Sequence, residues 1–296
     1  MKRLSLLSLI FSMAIFGTIG IFRNYIPFPS AFLAMARGFI GAAFILVFLI
    51  LSKKGIDFSA IKKNAAILII TGAFIGINWI LLFEAYKYTS VAVATLCYYM
   101  APLFVTVASS VFFKEKLTVK KAVCITLAIG GMILVSGVAD GSLQGSSEII
   151  GILLGIGAAV FYASVTLVSK KAKEISSFDM TLVQLFTAAA VVMPYSLIFE
   201  EISFGEAGAN AIWLVLLVGI LHTGIAYVLY FTSVKSLEAS KVAIFSYLDP
   251  IIAIILSALI LKEKMTLTAG IGAVLILVSA FASEVNLSHF AKRSKK

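Results

Sequence analysis

Residues 97–116 read CYYMAPLFVTVASSVFFKEK, and residues 245–264 read FSYLDPIIAIILSALILKEK. Tyr99 and Tyr247, Pro102 and Pro250, Ser109 and Ser257, and the Lys-Glu-Lys triplets ending at Lys116 and Lys264 each stand 148 residues apart. The chain has 296 residues, so this offset is half its length and marks a duplicated unit. Composition says what kind of unit. Hydrophobic residues make up 61% and charged residues 13%, against about half and about a quarter in a soluble domain. The apolar residues come in blocks such as LLSLIFSMAIFGTIGIF and GILLGIGAAVFYASVTLV. Each block is long enough to cross roughly 30 Å of hydrocarbon as a helix. The repeated unit is therefore a bundle of membrane-spanning helices.

Working outward from the two runs, the blocks predict ten helices, at about 4–22, 30–51, 65–84, 90–112, 119–138, 149–169, 178–199, 210–232, 239–261 and 266–283. The opening MKRLSLLSLIFSMAIFG has the basic end and apolar core of a signal peptide. Its apolar run continues through Ile21 and Phe22 with no polar cleavage region, which predicts a retained first helix. The longest non-apolar stretches, 52–63 and 139–148, are too short for a soluble domain.

Charge orients the bundle, because cytoplasmic loops collect Lys and Arg. With the amino terminus inside, the inner side holds Lys2 and Arg3; Lys53, Lys54, Lys62 and Lys63; Lys114, Lys116, Lys120 and Lys121; Lys170, Lys171 and Lys173; Lys235 and Lys241; and Lys292, Arg293, Lys295 and Lys296. The outer side holds Arg23, Lys87, Lys262 and Lys264. The asymmetry predicts a multi-pass protein of the inner (cytoplasmic) membrane with both termini in the cytoplasm. The organisation expected is a five-helix repeat at 1–138, an external linker at 139–148, a second repeat at 149–285 and a basic cytoplasmic tail at 286–296. Five crossings is an odd number, so the second repeat enters the membrane from the opposite side. The fold class expected is an all-α membrane protein of ten transmembrane helices as a 5+5 inverted repeat. Such repeats give a transporter two equivalent arrangements, one open to each side.

Ten helices as five plus five, with an apolar helix ending in Lys-Glu-Lys in each half, resemble the EamA domain family of the drug/metabolite transporter superfamily. The resemblance rests on PLFVTVASSVFFKEKLTVKKAVCITLAIGGMILVSG at 102–137 and PIIAIILSALILKEKMTLTAGIGAVLILVSA at 250–280. Val278-Ser279 stands where the first half has Gly130-Gly131, a mild departure. What the resemblance implies is secondary transport of small metabolites. Many members export amino acids and related compounds, and others carry different solutes or run inward.

Polar and aromatic residues inside the spans are the candidates for solute contact, since such groups in lipid face a bundle interior or a water path. Asp249 precedes Pro250, with Ala101 as its counterpart in the first half. It can bind an amine, carry a proton or pair with a fixed cation. Arg37, in the second helix, can bind a solute carboxylate, act in gating, or snorkel outward. His222 is mid-span in the eighth helix and can move a proton or bond across helices. Asn78, Trp79, Tyr98, Tyr99, Phe161, Tyr227 and Tyr247 are the further solute-binding candidates, with Tyr162 adding aromatic surface. Pro102 and Pro250 fall near the middle of predicted helices four and nine, where proline frees a carbonyl and bends a helix; both are candidate hinges. Gln184 reads as an interhelical polar contact.

Other classes fit poorly. Net charge is +10, but its placement on one side of the spans speaks for a membrane rather than nucleic acid. Cys97 and Cys124 lack metal-ligand spacing, and a lone mid-span histidine cannot build a metal site. Gly155-Ile156-Gly157 follows no strand, so it is no dinucleotide loop, and no phosphate loop provides for ATP. No catalytic residue, metal or cofactor is expected. The expected function is a secondary transporter that exports an amino acid or related compound by alternating access. The alternative is an ion-coupled importer of an amine or other small nutrient. An integral-membrane enzyme or a structural membrane protein fits less well. The partners are a small-molecule solute, the lipid bilayer and, for a coupled carrier, protons; a monomer or a homodimer would serve.

Overall fold

The structure, a computed structural model, describes residues 2–53, 55–112, 118–135, 146–202, 204–237, 245–246, 248–262 and 266–284. Hydrocarbon offers no partner to a free amide, so long apolar runs satisfy their backbone internally as helices. In chain order these are α1 (Lys2–Gly17), α2 (Ile19–Asn24), α3 (Ser30–Leu51), α4 (Phe58–Tyr88), α5 (Val91–Tyr98), α6 (Ala101–Phe112), α7 (Val119–Val135), α8 (Ser146–Ser169), α9 (Ser177–Phe199), α10 (Phe204–Leu217), α11 (Ala226–Ser236), α12 (Leu248–Leu256) and α13 (Leu267–Glu284). A π-helix, Val218–Ile225, joins α10 to α11, and a second, Ser257–Leu261, follows α12.

Among the described residues, six stretches are long and apolar enough to cross a membrane: Arg3–Asn24, Ser30–Leu51, Phe58–Tyr88, Ser146–Ser169, Ser177–Phe199 and Asn210–Val234. Four shorter apolar helices, Val93–Val105, Ala122–Leu134, Ile251–Leu261 and Leu267–Ser279, stand at the other predicted positions. Several spans are interrupted where the sequence suggested continuity. The first breaks at Thr18, between α1 and α2. The fourth breaks at Tyr99-Met100, so Pro102 sits in the first turn of α6 and not in mid-helix. Proline fits there because a first-turn amide has no intrahelical acceptor to lose. Pro250 likewise lies in the first turn of α12.

Helix starts carry local caps. Asp57 accepts from the Ala60 amide, Ser90 from Val93 and Ser176 from Asp179. α3 is capped from a distance: the Glu200 carboxylate accepts from the amides of Ala31 and Phe32 at 3.0 and 2.7 Å. That contact joins the start of α3 to the end of α9. At the other end of the pair, Phe48 stacks on Phe178 with ring centroids 5.2 Å apart. α3 and α9 therefore run antiparallel. α4 and α8 are antiparallel too. Asn64 near the start of α4 donates to the Lys173 carbonyl just past α8 and accepts from the Lys173 amide, at 3.0 and 3.1 Å. Thr89, just past α4, reaches Glu148 near the start of α8.

Close approach depends on small residues, as in other membrane bundles. A Cβ at Gly76 would lie 2.7 Å from the Ala188 carbonyl and 2.8 Å from Val192, and one at Gly224 would lie 2.7 Å from Phe44. α1 packs on α11 and α12, α8 on α5 and α6, and α7 on α13.

Candidate functional site

A cavity of about 70 Å³ opens where α1 and α2 meet α3, α4, α5, α8, α11 and α12. Its walls are mostly aromatic: Phe16, Trp79, Phe83, Tyr86, Tyr98, Tyr99, Tyr162, Tyr227 and Tyr230. The lining also brings together a guanidinium and a carboxyl group, Arg37 from α3 and Asp249 from α12.

Arg37 is 3% exposed. Its Nε donates to Thr223 Oγ1 at 2.8 Å. The guanidinium carbon lies 4.3 Å from the Trp79 ring centroid and 5.4 Å from that of Phe83, close enough for cation–π attraction. Trp79 is itself fixed, donating Nε1–H to Tyr227 Oη at 2.9 Å. The two terminal nitrogens of Arg37 have no hydrogen-bond or ion-pair partner among the described residues. Asp249 lines the same cavity beside Tyr99. It too has no ion pair among the described residues, and the two charges do not pair with each other.

Tyr162 and Tyr230 bond hydroxyl to hydroxyl at 3.0 Å across one side of the cavity. They also line a second chamber of about 30 Å³, which shares Asn78 and Tyr227 with the first and continues to Thr166, Ser169 and Val234. Ser169 ends α8, so this chamber lies toward the membrane face that carries Lys170 and Lys171. On the opposite side of the main cavity, Tyr86 and Thr95 approach to 3.4 Å near the end of α4.

Among the residues singled out in the sequence, Arg37, Asn78, Trp79, Tyr98, Tyr99, Tyr227 and Asp249 line the main cavity. Asn78 also ties α4 to α8 by donating to the Ala158 carbonyl at 2.6 Å. Phe161 lines neither chamber; it packs edge-on against Phe74 at 5.4 Å. His222 lines neither chamber and is fully buried. Its Nε2 lies 2.7 Å from Thr18 Oγ1, and that hydroxyl donates to the Ile15 carbonyl, which leaves Nε2–H as the donor between them. Gln184 donates to Thr71 and Ser169, an interhelical contact. Pro102 and Pro250 fall within α6 and α12, and Tyr247 lies outside the described residues.

The sequence reading passed over Phe83 and Tyr86, although 79, 83 and 86 share one face of a helix at the spacing that marks a stripe. Tyr230 follows Tyr227 by three residues, another readable signal. Thr223 carried no signal, because its place depends on the π-helix.

Comparison with known proteins gives the same chain-wide picture. The model of the EamA-like transporter family matches twice, over residues 3–137 and 149–283. The uncharacterized transporter YxxF of Bacillus subtilis (strain 168) is 30% identical over 283 residues, covering 93% of this chain and 88% of its own. The uncharacterized transporter YoaV of the same organism is 26% identical over 262 residues, covering 88% and 89%. A solved crystal structure aligns over 99% of both chains with a TM-score of 0.72 at 17% identity, a likeness of fold.

Proposed function

The chain belongs to the EamA-like transporter family, and on that footing we propose that this membrane transporter is a secondary carrier of a small amphoteric metabolite. An amino acid or a close relative is the solute class, and export is the direction we favour from the family resemblance. One observation carries the reading: Arg37 and Asp249, of opposite sign and with no ion pair among the described residues, line one aromatic cavity. A charged side chain at mid-membrane costs about 2.5–3.5 kcal/mol on insertion scales, so a site that holds two without joining them favours a ligand that joins both. A carboxylate matches the guanidinium fork, and an ammonium matches a carboxyl set among phenol rings.

Alternating access supplies the mechanism. The two halves act as inverted copies, each a five-helix unit, and three contacts support that reading. α3 and α9, which correspond at the 148-residue offset, pack antiparallel. Trp79 and Tyr227, which correspond at the same offset, bond to each other, as residues near a twofold axis do. Gly76 meets Val192 while Gly224 meets Phe44, the same contact moved by half the chain. In this conformation the Tyr162–Tyr230 bond closes the cytoplasmic side. Its release, with closure of the outer side, would pass the solute across.

Asp249 beside Tyr98, Tyr99, Tyr162 and Tyr227 also suits an amine alone, which keeps an amine importer as the second reading. A thermal-shift panel of amino acids, their decarboxylated amines, sugars and nucleosides separates the two. Amino acids are expected to raise the melting temperature most. A larger shift from the amines selects the second reading, and a shift only from sugars or nucleosides overturns both.

A further inference from the structure

We infer that Thr223, set on the π-helix Val218–Ile225, is the positioning residue that aims Arg37 into the cavity. The inference rests on the reading of that cavity as the solute site. The wide π turn makes the placement. On the α-helices of this bundle, hydroxyls bond back three or four residues, as Ser12 does to Leu9 and Thr166 to Tyr162. Thr223 instead donates to the Val218 carbonyl, five residues back, at 3.2 Å. Its one proton is thus committed, and its oxygen is left to accept Arg37 Nε–H at 2.8 Å. With Nε occupied and the guanidinium against Trp79, the end-on pair of terminal nitrogens is what remains for a carboxylate, the bidentate geometry that Arg recognises best. Gly41 lets α3 come this close: a Cβ there would lie 2.9 Å from Thr223 Cγ2.

The duplication supplies an internal control. Moved by 148 residues, the pair Arg37–Thr223 becomes Leu185–Ile75. Both of those are buried in one apolar cluster, and residues 70–77 lie within the regular helix α4. Packing at this junction is therefore met by two aliphatic side chains. The hydroxyl, the guanidinium and the π turn meet at only one of these two corresponding junctions between the halves, which assigns them to solute binding rather than to assembly. π-helical insertions of this kind recur at functional sites.

The test uses protein labelled with 15N-arginine in lipid nanodiscs, where Arg3, Arg23, Arg37 and Arg293 are the only arginines. Thr223→Ser keeps the hydroxyl, Thr223→Val removes it at nearly constant shape, and Gly41→Ala pushes on it from α3. In wild type and Thr223→Ser the Arg37 Nε–H should exchange slowly with solvent. In Thr223→Val and Gly41→Ala it should exchange at least about tenfold faster. In proteoliposomes, with each protein amino acid and its decarboxylated amine as probe, Thr223→Val should raise KM for the amino acid about tenfold. Its Vmax and the amine KM should stay near wild type. Wild-type exchange and KM in Thr223→Val, or failure of Thr223→Ser to restore them, would overturn the inference. If exchange responds as expected and wild type carries no amino acid, the positioning role stands and the solute assignment falls.

Discussion

Arg37 is held on three sides, by Thr223, Trp79 and Phe83, and faces the cavity on the fourth. Charge alone does not reproduce that arrangement, because lysine offers neither a planar fork nor a guanidinium face to stack. Arg37→Lys should therefore raise the amino acid KM by about tenfold or more with little change in melting temperature; a wild-type KM would show that the fork is not used. His222 makes a different prediction. It is fully buried and braces the break between α1 and α2 through Thr18. His222→Gln is expected to lower the melting temperature while transport keeps its pH profile, whereas Asp249→Asn should flatten that profile. Transport across an imposed pH step measures both, and a flat profile in His222→Gln with an unchanged one in Asp249→Asn would reverse the assignment. An ionisable residue inside an apolar run is visible as a letter, and Arg37 and Asp249 both line the cavity. Which neighbours a side chain in such a run meets is not visible, as Phe161 against Phe74 and His222 against Thr18 illustrate.

The helices were legible from hydropathy, and their breaks were not. The interruption before Pro102 follows from proline's preference for a first turn, yet the same letter in mid-helix gives a kink, so the sequence allowed either. The π-helix Val218–Ile225 was invisible, because its letters read as one apolar run and nothing in them separates a π turn from an α turn. Two contacts between elements can be weighed against each other. Asn64, 5% exposed, holds the Lys173 backbone through both its amide and its carbonyl. Leaving such groups buried and unpaired costs about 1–3 kcal/mol, so Asn64→Ala should lower the melting temperature measurably. Glu174 beside it is exposed, and its hydrogen bond from Lys63 holds its carboxyl below the usual carboxylate range. A lowered folded-state pKa means the contact is present at neutral pH and is lost only as pH falls through that depressed value. An exposed pair of this kind contributes little, and Glu174→Gln should leave the melting temperature unchanged. The Tyr162–Tyr230 bond joins α8 to α11 and is the latch of the proposed mechanism. A neutral hydrogen bond is worth about 1 kcal/mol, which is roughly a fivefold change in population. Tyr230→Phe should therefore label a Leu82→Cys reporter, which lines the main cavity beyond that bond, about fivefold faster from the cytoplasmic side; an unchanged rate would remove the latch from the mechanism.

At the scale of the molecule, the repeat read from Tyr99 and Tyr247 implied an inverted pair, and the antiparallel packing of α3 on α9 is what such a pair needs. The sidedness expected from the Lys and Arg distribution is tested separately. Cysteines at Lys63 and Glu174 should label from the cytoplasm, and cysteines at Lys87 and Glu200 from outside. The central claim, that one cavity binds both ends of an amphoteric solute, is tested most directly by amino acid counterflow in proteoliposomes holding wild type, Arg37→Gln or Asp249→Asn. The expected result is exchange in wild type and at least about a tenfold loss in each variant, with folding preserved by melting temperature. Counterflow at the wild-type rate in both variants would contradict it.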